Sequence, residues 1–150
     1  MTETELTRRR ALQVSVATLA TASLAGCLGD DDDGDDDDGI DEEAWEGVTE
    51  IYLEGYTPGW EGVEPAVIDG ETNPTLVLTE GETYTITWEN GDGDSHNIEI
   101  RDDTGGTIEE TDLMGEEGET QTLEFEATAD MADYVCTPHA GTMIGDIEIV

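Results

Sequence analysis

The chain has 150 residues and carries 40 Asp and Glu against 4 Arg and no Lys, a formal charge of −36. That balance excludes nucleic acid as a partner, because phosphate binding needs clustered Lys and Arg. It also implies strong self-repulsion in dilute buffer, mostly screened at molar salt where the Debye length is about 3 Å, so the acidity reads as adaptation to high salt.

Taken in chain order, residues 1–26 read as an export signal. Thr7-Arg8-Arg9-Arg10-Ala11-Leu12 resembles a twin-arginine motif, and a mildly apolar run follows from Ala11 to Ala25. Gln13, Ser15, Thr18, Thr21 and Ser23 interrupt that run, leaving it short of the roughly 20 mostly apolar residues of a membrane-spanning helix. It ends in Leu24-Ala25-Gly26-Cys27, which resembles a lipoprotein cleavage box. On this reading Cys27 becomes the lipidated N-terminus, and the protein is exported and anchored to the outer face of the cell membrane. The alternative is an uncleaved N-terminal anchor with an incidental cysteine.

Residues 27–44 are an acidic tether. Gly29 to Gly39 is almost entirely Asp, and Asp41, Glu42 and Glu43 extend it. Such a block buries no apolar surface and repels itself, so it is expected to be an extended, disordered spacer. Loose cation binding is the weaker alternative. Removing residues 1–26 takes away three arginines and two glutamates, which leaves 38 acids and a single base, Arg101.

Residues 45–150 remain for one domain. Helical periodicity is hard to find there, whereas short alternating runs recur at Thr49–Leu53, Thr75–Leu78, Thr83–Glu89, Asn97–Arg101, Gln121–Glu126, Asp133–Cys136 and Gly145–Val150. Tyr84, Ile86 and Trp88 share one face of their run; Leu123 and Phe125 share one face of theirs, with Glu124 and Glu126 opposite. Gly-Asp, Gly-Glu and Asn-Gly turn signals separate the runs, and this pattern predicts an all-β sandwich. Gly59, Gly62, Pro65 and Gly70 suggest irregular connections before the main strands.

The residues with distinctive chemistry fall late in the chain. Cys136-Thr137-Pro138-His139-Ala140-Gly141-Thr142-Met143 places a thiol, an imidazole and a thioether in one loop. The second of the chain's two histidines, His96, opens a strand after the turn Asn90-Gly91-Asp92-Gly93-Asp94. Two imidazoles, one thiolate and a weak thioether are the ligand types of a blue-copper site. Zinc could also take two histidines and a cysteine, but a catalytic zinc wants a water position and a base nearby, and neither is indicated. A Cys27–Cys136 disulfide is conceivable in an exported protein; with Cys27 lipidated, Cys136 has no partner and a metal would protect it. Met114 and Met131 read as packing or loop residues.

At these residues the chain resembles the blue copper proteins (cupredoxins) of the plastocyanin and halocyanin type. The matching segments are Ser95-His96-Asn97, Tyr134-Val135-Cys136-Thr137-Pro138-His139, and Met143 followed by Gly145-Asp146-Ile147-Glu148-Ile149-Val150, with Asn73-Pro74-Thr75-Leu76 and Tyr84-Thr85-Ile86-Thr87-Trp88 extending the match over the domain. The resemblance implies a Greek-key β-sandwich and one copper ion alternating between Cu(II) and Cu(I). It implies His96, Cys136 and His139 as equatorial ligands and Met143 as the axial one. Three residues separate His139 from Met143, between the shorter amicyanin-like and longer plastocyanin-like loops. It further implies that Asn97 bonds across to the Cys136–Thr137 region. By strand alternation Tyr134 shares the face of Cys136 and packs below the site, and Pro138 stiffens the loop. Ala140, Gly141 and Met143 are expected to form an uncharged patch around His139.

The expected function is a monomeric, membrane-tethered carrier of single electrons between membrane-bound redox proteins of a respiratory chain. The alternative is a copper-binding or delivery protein with no electron-transfer role, although delivery proteins favour exposed Met-rich or paired-Cys sites. No enzyme is expected: two histidines cannot build the second copper centre of a multicopper oxidase, and nothing resembles a nucleophile with its base or a phosphate-binding loop.

Overall fold

The computed structural model describes residues 41–150. The expected signal over 1–26 and the tether up to residue 40 lie outside the described residues. The last tether residues, Glu42 to Ala44, belong to a 3-10 turn, Glu42–Trp45, which the Asp41 side chain caps by accepting from the Ala44 amide. That turn delivers Trp45 to the core.

Nine strands follow: β1 (Glu50–Tyr56), β2 (Gly59–Glu64), β3 (Leu76–Leu78), β4 (Thr83–Asn90), β5 (Glu99–Asp102), β6 (Thr107–Glu110), β7 (Thr120–Glu126), β8 (Met131–Val135) and β9 (Ile144–Ile149). They form two sheets, one ordered β3-β9-β8-β5-β6 and the other β2-β1-β4-β7. Successive segments of chain cross repeatedly from one sheet to the other, and the pairs β3–β9 and β1–β4 are parallel while the rest are antiparallel. This is the Greek-key β-sandwich expected.

Alternation is the reason these segments are strands. In β4, Tyr84, Ile86, Trp88 and Asn90 are buried while Thr83, Thr85, Thr87 and Glu89 face outward. In β7, Leu123 and Phe125 are buried between exposed acids. Each such strand has one face on the core and one in water, as the strands of a two-layer sandwich do. The short β3 is buried at all three positions. Between the sheets, Trp60 from β2 meets Trp88 from β4 edge-on at 5.5 Å and Tyr134 from β8 at 6.4 Å. Met114 and Met131 are buried in the same core, as packing residues.

Two strands depart from the sequence reading. The glycines of β2 are not turn residues. A Cβ on Gly59 would lie 2.7 Å from Thr72 Cγ2, and one on Gly62 would collide with the Ile68 carbonyl, so glycine is there to admit neighbouring chain. Strand β6 has no apolar alternation because it is the edge of its sheet. Its exposed Glu109 and Glu110 discourage a second chain from adding to that edge.

Candidate metal centre

His96 follows β4 through the turn Gly91–Asp94, and that turn is organised by Asn90. The Asn90 side chain is wholly buried. Its Oδ1 accepts from the Gly93 amide at 2.8 Å, and its Nδ2 donates to the carbonyls of Asp94 at 2.7 Å and Met114 at 3.0 Å. His96 and Met114 exchange both backbone hydrogen bonds, at 3.0 and 2.8 Å. His96 is thereby held at the sandwich end with no solvent exposure.

Cys136 leaves β8 and opens the loop to β9. The loop closes on itself: the amide of His139 donates to the Cys136 carbonyl, those of Thr142 and Met143 to the His139 carbonyl, and that of Cys136 to the Met143 carbonyl, at 2.8 to 3.0 Å. Pro138 lies in the first turn of the 3-10 segment Thr137–His139, where its missing N–H costs nothing. Asn97 spans the two ligand-bearing segments as expected. Its Oδ1 accepts from the Thr137 amide at 2.8 Å and its Nδ2 donates to the Thr137 hydroxyl at 3.1 Å.

The outcome is a cluster. His96 Nδ1 lies 3.6 Å and His139 Nδ1 3.5 Å from Cys136 Sγ, and the three donor atoms sit within 4.8 Å of one another. Metal–sulfur and metal–nitrogen bonds of about 2.3 and 2.0 Å, the lengths typical of zinc, span such separations at an angle of roughly 110°, so one small ion fits between the three atoms. Burial pushes the Cys136 thiol above its usual range, and the nearby Asp92 carboxylate adds to this against the amides of Asn97 and His139. A bound cation reverses that preference by taking the thiolate. Cys136 is the free cysteine among the described residues; Cys27 lies outside them.

Met143 is fully buried, and its Cε would lie 3.4 Å from a Cβ on Gly55. It therefore does not belong to the uncharged surface patch the sequence suggested. Its backbone is paired with Cys136 and His139, which turns its side chain into the sandwich rather than outward. The surface around the half-buried His139 and Ala140 is made instead by Thr137, Pro138, Gly141 and Thr142. Tyr134 lies below, buried, with its hydroxyl donating to the Pro74 carbonyl at 2.5 Å.

Several supporting residues were not singled out from the sequence. Asn73, at a positive φ of 51°, accepts from the Trp60 amide and donates to the Thr142 carbonyl, both at 2.8 Å. The Thr142 hydroxyl donates to the Thr57 carbonyl at 2.6 Å. Buried Glu99 accepts from the Thr137 hydroxyl at 2.7 Å; its ion pair with Arg101 and further hydrogen bonds hold its pKa down to about 2, against the cost of burial. His96 Nε2 lies 2.7 Å from Asp92 Oδ1. Of these, Asp92 had a local signal, four residues before His96, and Asn73 stood in one of the segments that resemble the family.

A thiol flanked by two imidazoles, buried at the loop end of a Greek-key sandwich, defines a mononuclear site for a soft or borderline transition metal. Residues 72–150 match the copper binding proteins of the plastocyanin/azurin family, and the chain belongs to that family of blue copper proteins. Its cofactor is copper. The chain is similar to halocyanin of Natronomonas pharaonis, with 37% identity over 155 residues covering 90% of this chain and 91% of that one. Among solved structures, rusticyanin from Thiobacillus ferrooxidans shares the fold at a TM-score of 0.54 and 21% identity, covering 67% of this chain and 76% of that one. Auracyanin from Roseiflexus castenholzii does so at 0.50 and 22%, covering 69% and 98%.

Proposed function

We propose that this protein carries single electrons, with His96, Cys136 and His139 as the strong copper ligands and Met143 as a weak fourth. The observation that carries this reading is the pair of imidazole nitrogens 3.6 and 3.5 Å from one buried sulfur, on loops tied together by hydrogen bonds. When bound, copper supplies the one-electron Cu(II)/Cu(I) couple. The chain's part is to hold the donors still. Asn97 locks the Cys136 segment to the His96 segment, Thr142 locks the ligand loop to the β1–β2 turn, and the backbone closure of residues 136–143 limits rearrangement. His139 is half-exposed while Cys136 and His96 are buried, so its ring edge is the shortest way out for an electron. The uncharged residues around it offer a docking surface to membrane-bound redox proteins of a respiratory chain. A delivery role is disfavoured by the same burial, since handing over a metal requires ligands that a recipient can reach.

Titrating the domain with Cu(II) in molar salt tests this. An intense blue thiolate-to-copper band and a reversible one-electron wave are expected; a pale product or an irreversible wave would sink the proposal. In Met143→Leu the band is expected to persist while the potential rises, because loss of the sulfur donor weakens Cu(II) more than Cu(I). Voltammetry showing an unchanged or lower potential would remove Met143 from the ligand set.

The twin-arginine run and the Leu24-Ala25-Gly26-Cys27 box support export and lipid anchoring on the outer face of the membrane. Cys27→Ser is then expected to move the protein from the membrane to the soluble fraction, and a variant that stays membrane-bound would argue for an uncleaved anchor.

A further inference from the structure

Each imidazole has two ring nitrogens, and at His96 both are engaged. Nδ1 faces Cys136 Sγ, whereas Nε2 lies 2.7 Å from Asp92 Oδ1. The Asp92 carboxylate is itself saturated with donors. Oδ2 accepts from the Thr57 amide at 2.6 Å and the Thr57 hydroxyl at 2.9 Å, and Oδ1 also accepts from the Asp94 amide at 3.0 Å. Its side chain is only 25% exposed, and that of His96 not at all. Thr57 is the same residue whose carbonyl anchors Thr142 of the ligand loop. His139 has no such anion: among the described residues its ring nitrogens bond only toward Cys136.

We infer that Asp92 is a positioning residue for His96 and sets the reduction potential low. An ionised carboxylate only accepts hydrogen bonds, so in the neutral ring Nε2 carries the proton and Nδ1 keeps a free lone pair directed at the metal pocket. The geometry thus selects the ligating tautomer before any metal arrives. The carboxylate also places a fixed negative charge one imidazole away from the ion, and it stabilises Cu(II) more than Cu(I). Because the contact runs through a buried ring, salt screens it less than it screens the rest of this acidic surface. The inference rests on the reading of His96 as a copper ligand.

Four substitutions and one spectrum test it. Asp92→Asn removes the charge and keeps an oxygen that can accept from Nε2, while its NH2 replaces the oxygen that accepted from the Thr57 amide. Asp94→Asn removes the same charge two residues away, from a carboxylate that makes no hydrogen bond to His96 and competes with Asp92 for the single Thr57 hydroxyl proton. In molar salt, Asp92→Asn should keep the blue band and shift relative affinity on the order of tenfold toward Cu(I), a rise of about 59 mV. Asp94→Asn should move it by less than half as much. Equal shifts in the two variants, or none in Asp92→Asn, would overturn the inference. In the metal-free wild-type protein, nitrogen NMR should find the His96 proton on Nε2, and in Asp92→Ala a mixture of tautomers; a wild-type proton on Nδ1 overturns the inference without any variant. If instead His96→Gln keeps the wild-type blue spectrum, the ligand assignment itself falls.

Discussion

Replacing Cys136 by serine is expected to abolish the blue band completely while leaving the sandwich folded. The intense colour of a blue-copper site comes from a thiolate, and a serine hydroxyl neither ionises near neutral pH nor offers a soft donor. Nothing nearby substitutes for it, since Cys136 is the free cysteine of the described residues and Met143 carries only a neutral thioether. Serine is close in size and sits between His96 and His139, which can hydrogen-bond its hydroxyl. The structural cost should therefore be small, about 1 kcal/mol. Absorbance during Cu(II) titration, paired with far-UV circular dichroism of the metal-free variant, separates loss of the site from loss of the fold. A surviving intense band in Cys136→Ser would remove the thiolate, and with it the whole assignment.

The largest expected effect on stability is at Trp60. Trp60→Ala should lower unfolding free energy by about 3–5 kcal/mol, the range for emptying a large buried aromatic position. Trp60 is fully buried and meets Trp88 of its own sheet and Tyr134 of the opposite one, so its ring joins the two layers. Its Nε1 has no hydrogen-bond partner among the described residues, so the loss is one of packing rather than of a polar contact. The cavity cannot collapse easily, because β2 is pinned at its glycines against Thr72 and Ile68. Against a total stability of about 5–15 kcal/mol for a domain, that loss removes a large share. Urea denaturation in molar salt measures it, and a change below about 1 kcal/mol would show that Trp60 does not join the sheets.

Trp60 also marks where sequence reasoning stopped short. Gly59-Trp60-Glu61-Gly62 carries a strand, but its glycines look like turn residues until the segments they make room for are known. The reason for each glycine lies further along the chain, in Thr72 for Gly59 and in Ile68 for Gly62, and no local pattern announces it. Strand β6 is hidden for a different reason, since an edge strand in an acidic protein buries too little to alternate. Met143 shows the same limit at the site: its place in the loop is plain, but whether it faces solvent or core depends on the bonds that close the loop.

What the sequence by itself determined is local chemistry and period. Two histidines, with a thiol and a methionine in the loop that carries the second of them, restrict the metal chemistry to a narrow choice, and strands of period two define a sandwich. The tertiary structure alone decided which groups hold those donors in place. Nothing in the sequence marks Thr57, Asn73 or Glu99 as a support of the site, yet Thr57 meets Asp92 35 positions on, Asn73 meets Thr142 69 positions on and Glu99 meets Thr137 38 positions on. Hydrogen bonds over such separations form only after both sheets have packed. A ligand's identity is therefore written in one residue, while its orientation is a property of the assembled sandwich.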